Sequence, residues 1–146
     1  MGYLGLLPRL FDDVFLSAAV VDEFGRGELH DELERLAGLG LARVAEASNI
    51  ELVGVLSSTL GRGEAETIAL ALDVDAYLAL LDDLRARRAA RRLGVGVMDT
   101  LGVLKLLMDK GYVSEGPEEL CSALISQGFW VTRELCLKIL GRREPS

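Results

Sequence analysis

Apolar and polar positions alternate along this chain in short blocks, and the period of each block predicts an element. Leu4, Leu7, Pro8 and Phe11 predict a short helix, apolar on one side, with Pro8 tolerated in its first turn. Residues 13–17 (DVFLS) are few and rich in β formers, which predicts a strand. Ser17 is placed to cap a helix over 18–24, which Gly25 and Gly27 interrupt. A helix over 28–39 sets Leu29, Leu33 and Leu36 at helical spacing, with Gly38 and Gly40 at its end. Residues 43–47 are a strand candidate, and 50–60 fit either helix or strand.

The signals sharpen from Gly63 onward. A helix over 64–72 has Ala65, Ile68, Ala69 and Leu72 as its apolar set, and Glu66 is expected to point away into solvent. Residues 76–81 form a nearly continuous apolar run of strand length, the pattern of a strand covered on both faces. Next come a helix over 84–93, a strand over 95–98 and a helix over 100–109 stopped by Gly111. Two helices close the chain, one over 117–126 with Pro117 at its first position and one over 132–140 opened by Thr132. Such alternation predicts an α/β fold with a mostly parallel sheet. The length of 146 residues suits one domain, 1–146, with a helical extension at about 113–142.

Carboxylates gather at the ends of these elements. Glu64 opens a helix and projects, with Ile68, from the side facing the sheet; an acid in a first turn is also what the helix dipole favours. Asp82 and Asp83 follow the apolar run, where open parallel sheets place their ligands, and one of the pair is equally suited to cap the next helix. Asp22 and Glu23 close the 18–24 helix, where the dipole opposes a negative charge. Arg85, Arg87, Arg88, Arg91 and Arg92 crowd the following helix. Arg85, Arg88 and Arg92 share a face that reads either as a solvated surface or as a phosphate contact.

Composition narrows the classes. A net charge of −7 argues against a general nucleic-acid coat, although an acidic metal site and a local basic patch can coexist. The apolar runs stop short of the ~18 residues of a membrane span, and no signal peptide is evident, so a cytoplasmic protein is expected. Cys121 and Cys136 are expected to be buried thiols acting as small hydrophobes. His30, the only histidine, is expected on a solvated helix face.

The motifs Gly63-Glu64-Ala65-Glu66, Leu80-Leu81-Asp82-Asp83 with Ala86-Arg87, Thr100-Leu101-Gly102-Val103-Leu104 and Gly128-Phe129 occur in this order. Together they resemble the PIN-domain family, and within it the small prokaryotic branch related to VapC-type toxins. The resemblance spans roughly Leu6 to Leu140. It implies a Rossmann-like three-layer α/β/α sandwich and a Mg²⁺- or Mn²⁺-dependent ribonuclease, often the toxin of a toxin–antitoxin pair. It further implies RNA as substrate, an antitoxin-like protein partner and a homo-oligomer.

By motif position Glu23, Glu64 and Asp83 match the family's second, third and fourth acids, which hold metal and serve catalysis; Asp82 is a neighbouring candidate ligand. Arg85, Arg87 and Arg88 would meet nucleic acid, and Thr100 matches the family's hydroxyl. The family's opening strand, ending in its principal metal-binding aspartate, has no counterpart here. The resemblance therefore implies a sheet without its first strand and an edge that domain exchange or a tight oligomer would cover. It also implies, as an alternative, an inert module that binds RNA or protein without cutting. Asp99 stands where the family usually has glycine.

Overall fold

The computed structural model describes residues 5–24, 28–126, 128–129 and 131–141. Leu4, Gly25 and Gly27 lie outside the described residues, as do the side chains of Leu29 and His30. The chain divides into two compact units, residues 1–98 and 99–146.

In the first unit α1 (Leu7–Leu10) precedes β1 (Phe15–Ser17), α2 (Ala18–Phe24), α3 (Glu28–Gly38) and β2 (Arg43–Ala45). Ser17 caps α2 as expected, its Oγ accepting from the N–H of Val20 at 3.3 Å. Strands β1 and β2 pair in parallel with Phe15 opposite Arg43, and the Arg43 guanidinium lies 6.0 Å from the centre of the Phe15 ring. Residues 50–60, which fit two patterns, resolve into the helix α4 (Ile50–Ser57). The Asn49 side chain decides the matter locally by accepting the N–H of Leu52 at 3.0 Å, and Glu51 follows in the first turn.

Helix α5 (Arg62–Asp73) is the centre of this unit and packs on α2, α4, β1 and β3 (Ala79–Leu80). Its Ile68 is fully buried, and removing such a side chain from water stabilises by roughly 1.5–3 kcal/mol. Around Ile68 lie Leu60, Ala71, Ala79, Leu81, Val95 and the small Ala86 and Ala90 of α6 (Leu84–Arg92), which let that helix approach closely. Strand β3 pairs in parallel with β4 (Val97–Met98). At Gly96 a Cβ would sit 2.7 Å from the carbonyl oxygen of Tyr77, so only glycine fits between these strands.

The α/β class with parallel strands holds, but the strands are shorter than the apolar runs predict. Among the described residues they form two two-stranded sheets, β1–β2 and β3–β4, rather than one continuous sheet. The run 76–81 contributes two strand residues, and Leu80 remains 41% exposed. An apolar run alone does not specify coverage; the neighbouring strands do.

The second unit contains α7 (Thr100–Asp109), α8 (Pro117–Ser126) and α9 (Arg133–Leu140). Asp99 caps α7 through the N–H of Gly102 at 2.8 Å, and Thr132 caps α9 through that of Leu135 at 3.1 Å. Gly111, at φ 77°, supplies the left-handed residue after α7. Cys121 and Cys136 are buried, as expected, but they are joined in a disulfide rather than free. The packing of α8 on α9 brings their Cα atoms to 5.9 Å, inside the range a disulfide spans.

A disulfide closing 15 residues restricts the unfolded chain and contributes about 3 kcal/mol. Cys121→Ser is expected to melt several degrees below the oxidised wild type, and reductant should lower the wild-type midpoint toward it. Equal midpoints with and without reductant would show that no such bond forms.

Candidate functional site

Helices α2 and α5 run antiparallel and are tied to each other through two carboxylates. Glu66, on α5, is 8% exposed and accepts the N–H of Ala19 in the first turn of α2 at 3.1 Å. This corrects the expectation that Glu66 is solvated. Two residues separate it from Glu64, a rotation of about 200° around the helix, which turns it to the other side and onto α2. Beside it the Ser17 and Thr67 hydroxyls are hydrogen-bonded at 3.1 Å.

In the other direction Glu23, on the last turn of α2, accepts the N–H of Gly63 at the start of α5 at 2.8 Å. The contact explains both residues. Glu23 is unfavourable for its own helix, yet its charge meets the positive end of the next one. Gly63 leaves the room, since a Cβ there would sit 2.6 Å from Glu23 Oε2.

Glu64 follows immediately. Its carboxylate bends back to accept the N–H of Gly61 at 3.3 Å, closing the helix start, and it is half-buried. Its pKa is raised above the ordinary 4.5, first by burial and then by the charge of Asp83. The Gly61 N–H opposes the rise, the charge of Glu23 adds to it, and Arg85 opposes it. Glu23, Asp83 and Arg85 therefore lie within electrostatic reach of Glu64, although they come from α2, the β3–α6 junction and α6.

Asp83 caps α6: its Oδ1 accepts from the N–H of Arg85 at 2.7 Å and from that of Ala86 at 3.2 Å. Asp82, next to it, is exposed. Arg85 and Arg88 are exposed one turn apart on α6. Arg87 is only half-exposed; its Nη1 donates to the carbonyls of Leu81 at 3.0 Å and Asp82 at 2.7 Å. Thr100 is the first residue of α7 and belongs to the second unit.

Oxygen donors of this kind suit a hard divalent cation, which would also relieve the repulsion that burdens Glu64. A carboxylate that accepts one or two N–H groups keeps lone pairs for a cation, so capping by Glu23 and Asp83 leaves them competent as ligands. The donors fit in kind. Their grouping is looser: among the described residues no three His, Cys, Asp or Glu side chains are drawn together so as to hold an ion.

The unit is parallel α/β, with carboxylates placed at a helix start and at a strand-to-helix junction. The chain belongs to the PIN-domain family: the family model described as DUF3368: PIN domain matches residues 1–144. No match was found among curated proteins, and none among solved structures. No helix among the described residues is long and apolar enough to cross a membrane.

Two outcomes test this geometry. A carboxyl whose folded pKa is raised binds more protons in the native than in the unfolded state above pH 4.5. Its contribution is therefore present in acid and is lost as pH rises through the folded pKa. Glu64→Gln keeps the acceptor for Gly61 and removes the charge, so it should melt above the wild type at pH 8, with the gap closing toward pH 4.5. A pH-independent gap, or none, would contradict the repulsion.

Gly63→Ala forces the mobile end of Glu23 off the α5 start. It should cost about 1–3 kcal/mol by denaturant unfolding through the abandoned N–H. A neutral substitution would mean that Glu23 is not held there.

Proposed function

We propose that this PIN domain is a Mg²⁺- or Mn²⁺-dependent endoribonuclease of the VapC-like branch, acting in the cytoplasm. The observation that carries the reading is the half-buried Glu64 held in the repulsive field of Asp83 and Glu23. A half-buried carboxyl whose ionised form is disfavoured by burial and by neighbouring carboxylates is a group that functional sites characteristically hold. Glu23, Glu64 and Asp83, with Asp82 beside them, are the residues that would hold the ion. When bound, such an ion activates water and offsets the charge that builds on the phosphate. The chain's own contribution is to fix these carboxylates at helix starts, where backbone N–H groups hold them before substrate arrives.

Arg85 and Arg88 supply the complementary charge from the exposed surface of α6, the helix that Asp83 caps. Forked guanidinium groups suit phosphate oxygens, and their position offers a track for an RNA backbone. Thr100 is a further candidate contact to nucleic acid. The same reading carries an antitoxin-like partner, the role of toxin in such a pair, and a homo-oligomer, all within one domain over 1–146 with its helical extension at about 113–142.

A second reading, that of an inert module binding RNA or protein, is favoured by one observation. Glu23 and Asp83 each already hold backbone N–H groups, and no trio of described donors is assembled around a common point.

One assay separates the two. With Mg²⁺ or Mn²⁺ a mixed RNA substrate should be cut, EDTA should stop the reaction, and Glu64→Gln or Asp83→Asn should lose at least ~100-fold in rate. Undiminished cleavage by both variants would refute the nuclease reading. Binding of RNA without cleavage by the wild type, at any divalent concentration, would establish the inert module instead.

A further inference from the structure

The junction between β3 and α6 carries more bonds than so short a turn needs. Leu81 N–H donates to the Met98 carbonyl at 2.9 Å, anchoring the turn to β4. Asp83 Oδ1 holds the N–H groups of Arg85 and Ala86, and its carbonyl takes the Arg87 N–H at 3.0 Å, the first helical bond. The Arg87 side chain then reaches back across the helix start to the carbonyls of Leu81 and Asp82, at 3.0 and 2.7 Å.

These two carbonyls stand between the end of β3 at Leu80 and the start of α6 at Leu84, where the regular bonding of strand and helix is interrupted. A charged donor makes bonds roughly twice as strong as a neutral one, and the planar guanidinium fixes geometry that a flexible ammonium would not. Arg85 and Arg88, by contrast, are exposed. One helix thus carries arginines in two environments.

We propose that Arg87 is a positioning residue: by holding the Leu81 and Asp82 carbonyls it sets the direction in which the Asp82 and Asp83 carboxylates leave the sheet. The arginine acts inward on the backbone, not outward on nucleic acid. Its consequence for cleavage rests on the nuclease reading above, whereas the locking of the turn does not. The Asp83 carboxylate meets the Arg85 and Ala86 amides only while the turn is held, so those two amides report on the lock directly.

The test uses Arg87→Gln with Arg88→Gln as a surface control. Amide hydrogen exchange at Arg85 and Ala86 should accelerate at least ~10-fold in Arg87→Gln and stay unchanged in Arg88→Gln, with the amides of α5 unaffected in both. In RNA cleavage Arg87→Gln should lower kcat by ~10-fold or more with little change in KM. Its plot of log affinity against log salt should keep the wild-type slope, whereas Arg88→Gln should flatten that slope by about 0.7, the loss of one phosphate contact on a single strand.

Preserved protection of the two amides in Arg87→Gln overturns the proposal, and so does a flattened salt slope. Should that variant fail to fold, Arg87→Lys, which keeps the charge and loses the fork, decides it by the same exchange measurement: wild-type protection overturns the proposal and accelerated exchange supports it. If Asp83→Asn cleaves like the wild type, the nuclease reading falls, while the exchange data still settle the role of Arg87.

Discussion

The mutual capping of α2 and α5 is the constraint on which the rest of the first unit depends. Glu66 of α5 holds the N-terminal N–H of Ala19, and Glu23 of α2 holds the N-terminal N–H of Gly63. Each helix thereby supplies the anion that the other's positive end requires. A seven-residue helix such as α2 would not persist alone. Its orientation against α5 is fixed at both ends, and the position of Glu23 beside Glu64 is a direct consequence. The candidate site is thus assembled by the same bonds that hold the helices together.

This double use explains the electrostatics. An acid at a helix start is ordinarily stabilised, and Glu64 does receive the Gly61 N–H. Burial and the charges of Asp83 and Glu23 outweigh that gain, and its carboxyl is left reluctant to ionise. A scaffold selected only for stability would place glutamine or a neutral cap there. A glutamate among neighbouring negative charges thus costs folding free energy that a neutral residue would not.

Much of this was legible in the sequence, and the exceptions share a cause. The limits 100–109 and 117–126 match α7 and α8, because Gly111 and Pro117 write stopping and starting chemistry into adjacent residues. Ser17 and Thr132 announced their helices for the same reason. Burial of Glu66 was not legible, since its partner, the Ala19 N–H, lies 47 residues away and belongs to a helix end that any acceptor could satisfy. The Cys121–Cys136 bond depends on how α8 folds against α9, which spacing alone does not fix. Strand lengths failed similarly, because pairing decides where a strand ends.

In the candidate site the acids could be named from motif order, and helical spacing set Arg85 and Arg88 on a face without Arg87, yet nothing in the sequence assigned Arg87 its backbone partners. All three occupy one helix, and only the path of the backbone beneath them assigns carbonyls to one and solvent to the others. The glycine at position 63 was likewise visible as part of a motif without its reason. The Cβ it omits is space occupied by a carboxylate from another helix.

Because Glu23 and Glu66 knit α2 to the beginning of α5, neither segment can fray by itself. Loosening the first turn of α5 releases Glu23, and loosening α2 strips Glu66 of its donor in a dry environment. Motions in this region are therefore expected to be concerted, with both helices opening as one foldon and the placement of Glu23 beside Glu64 lost along with them.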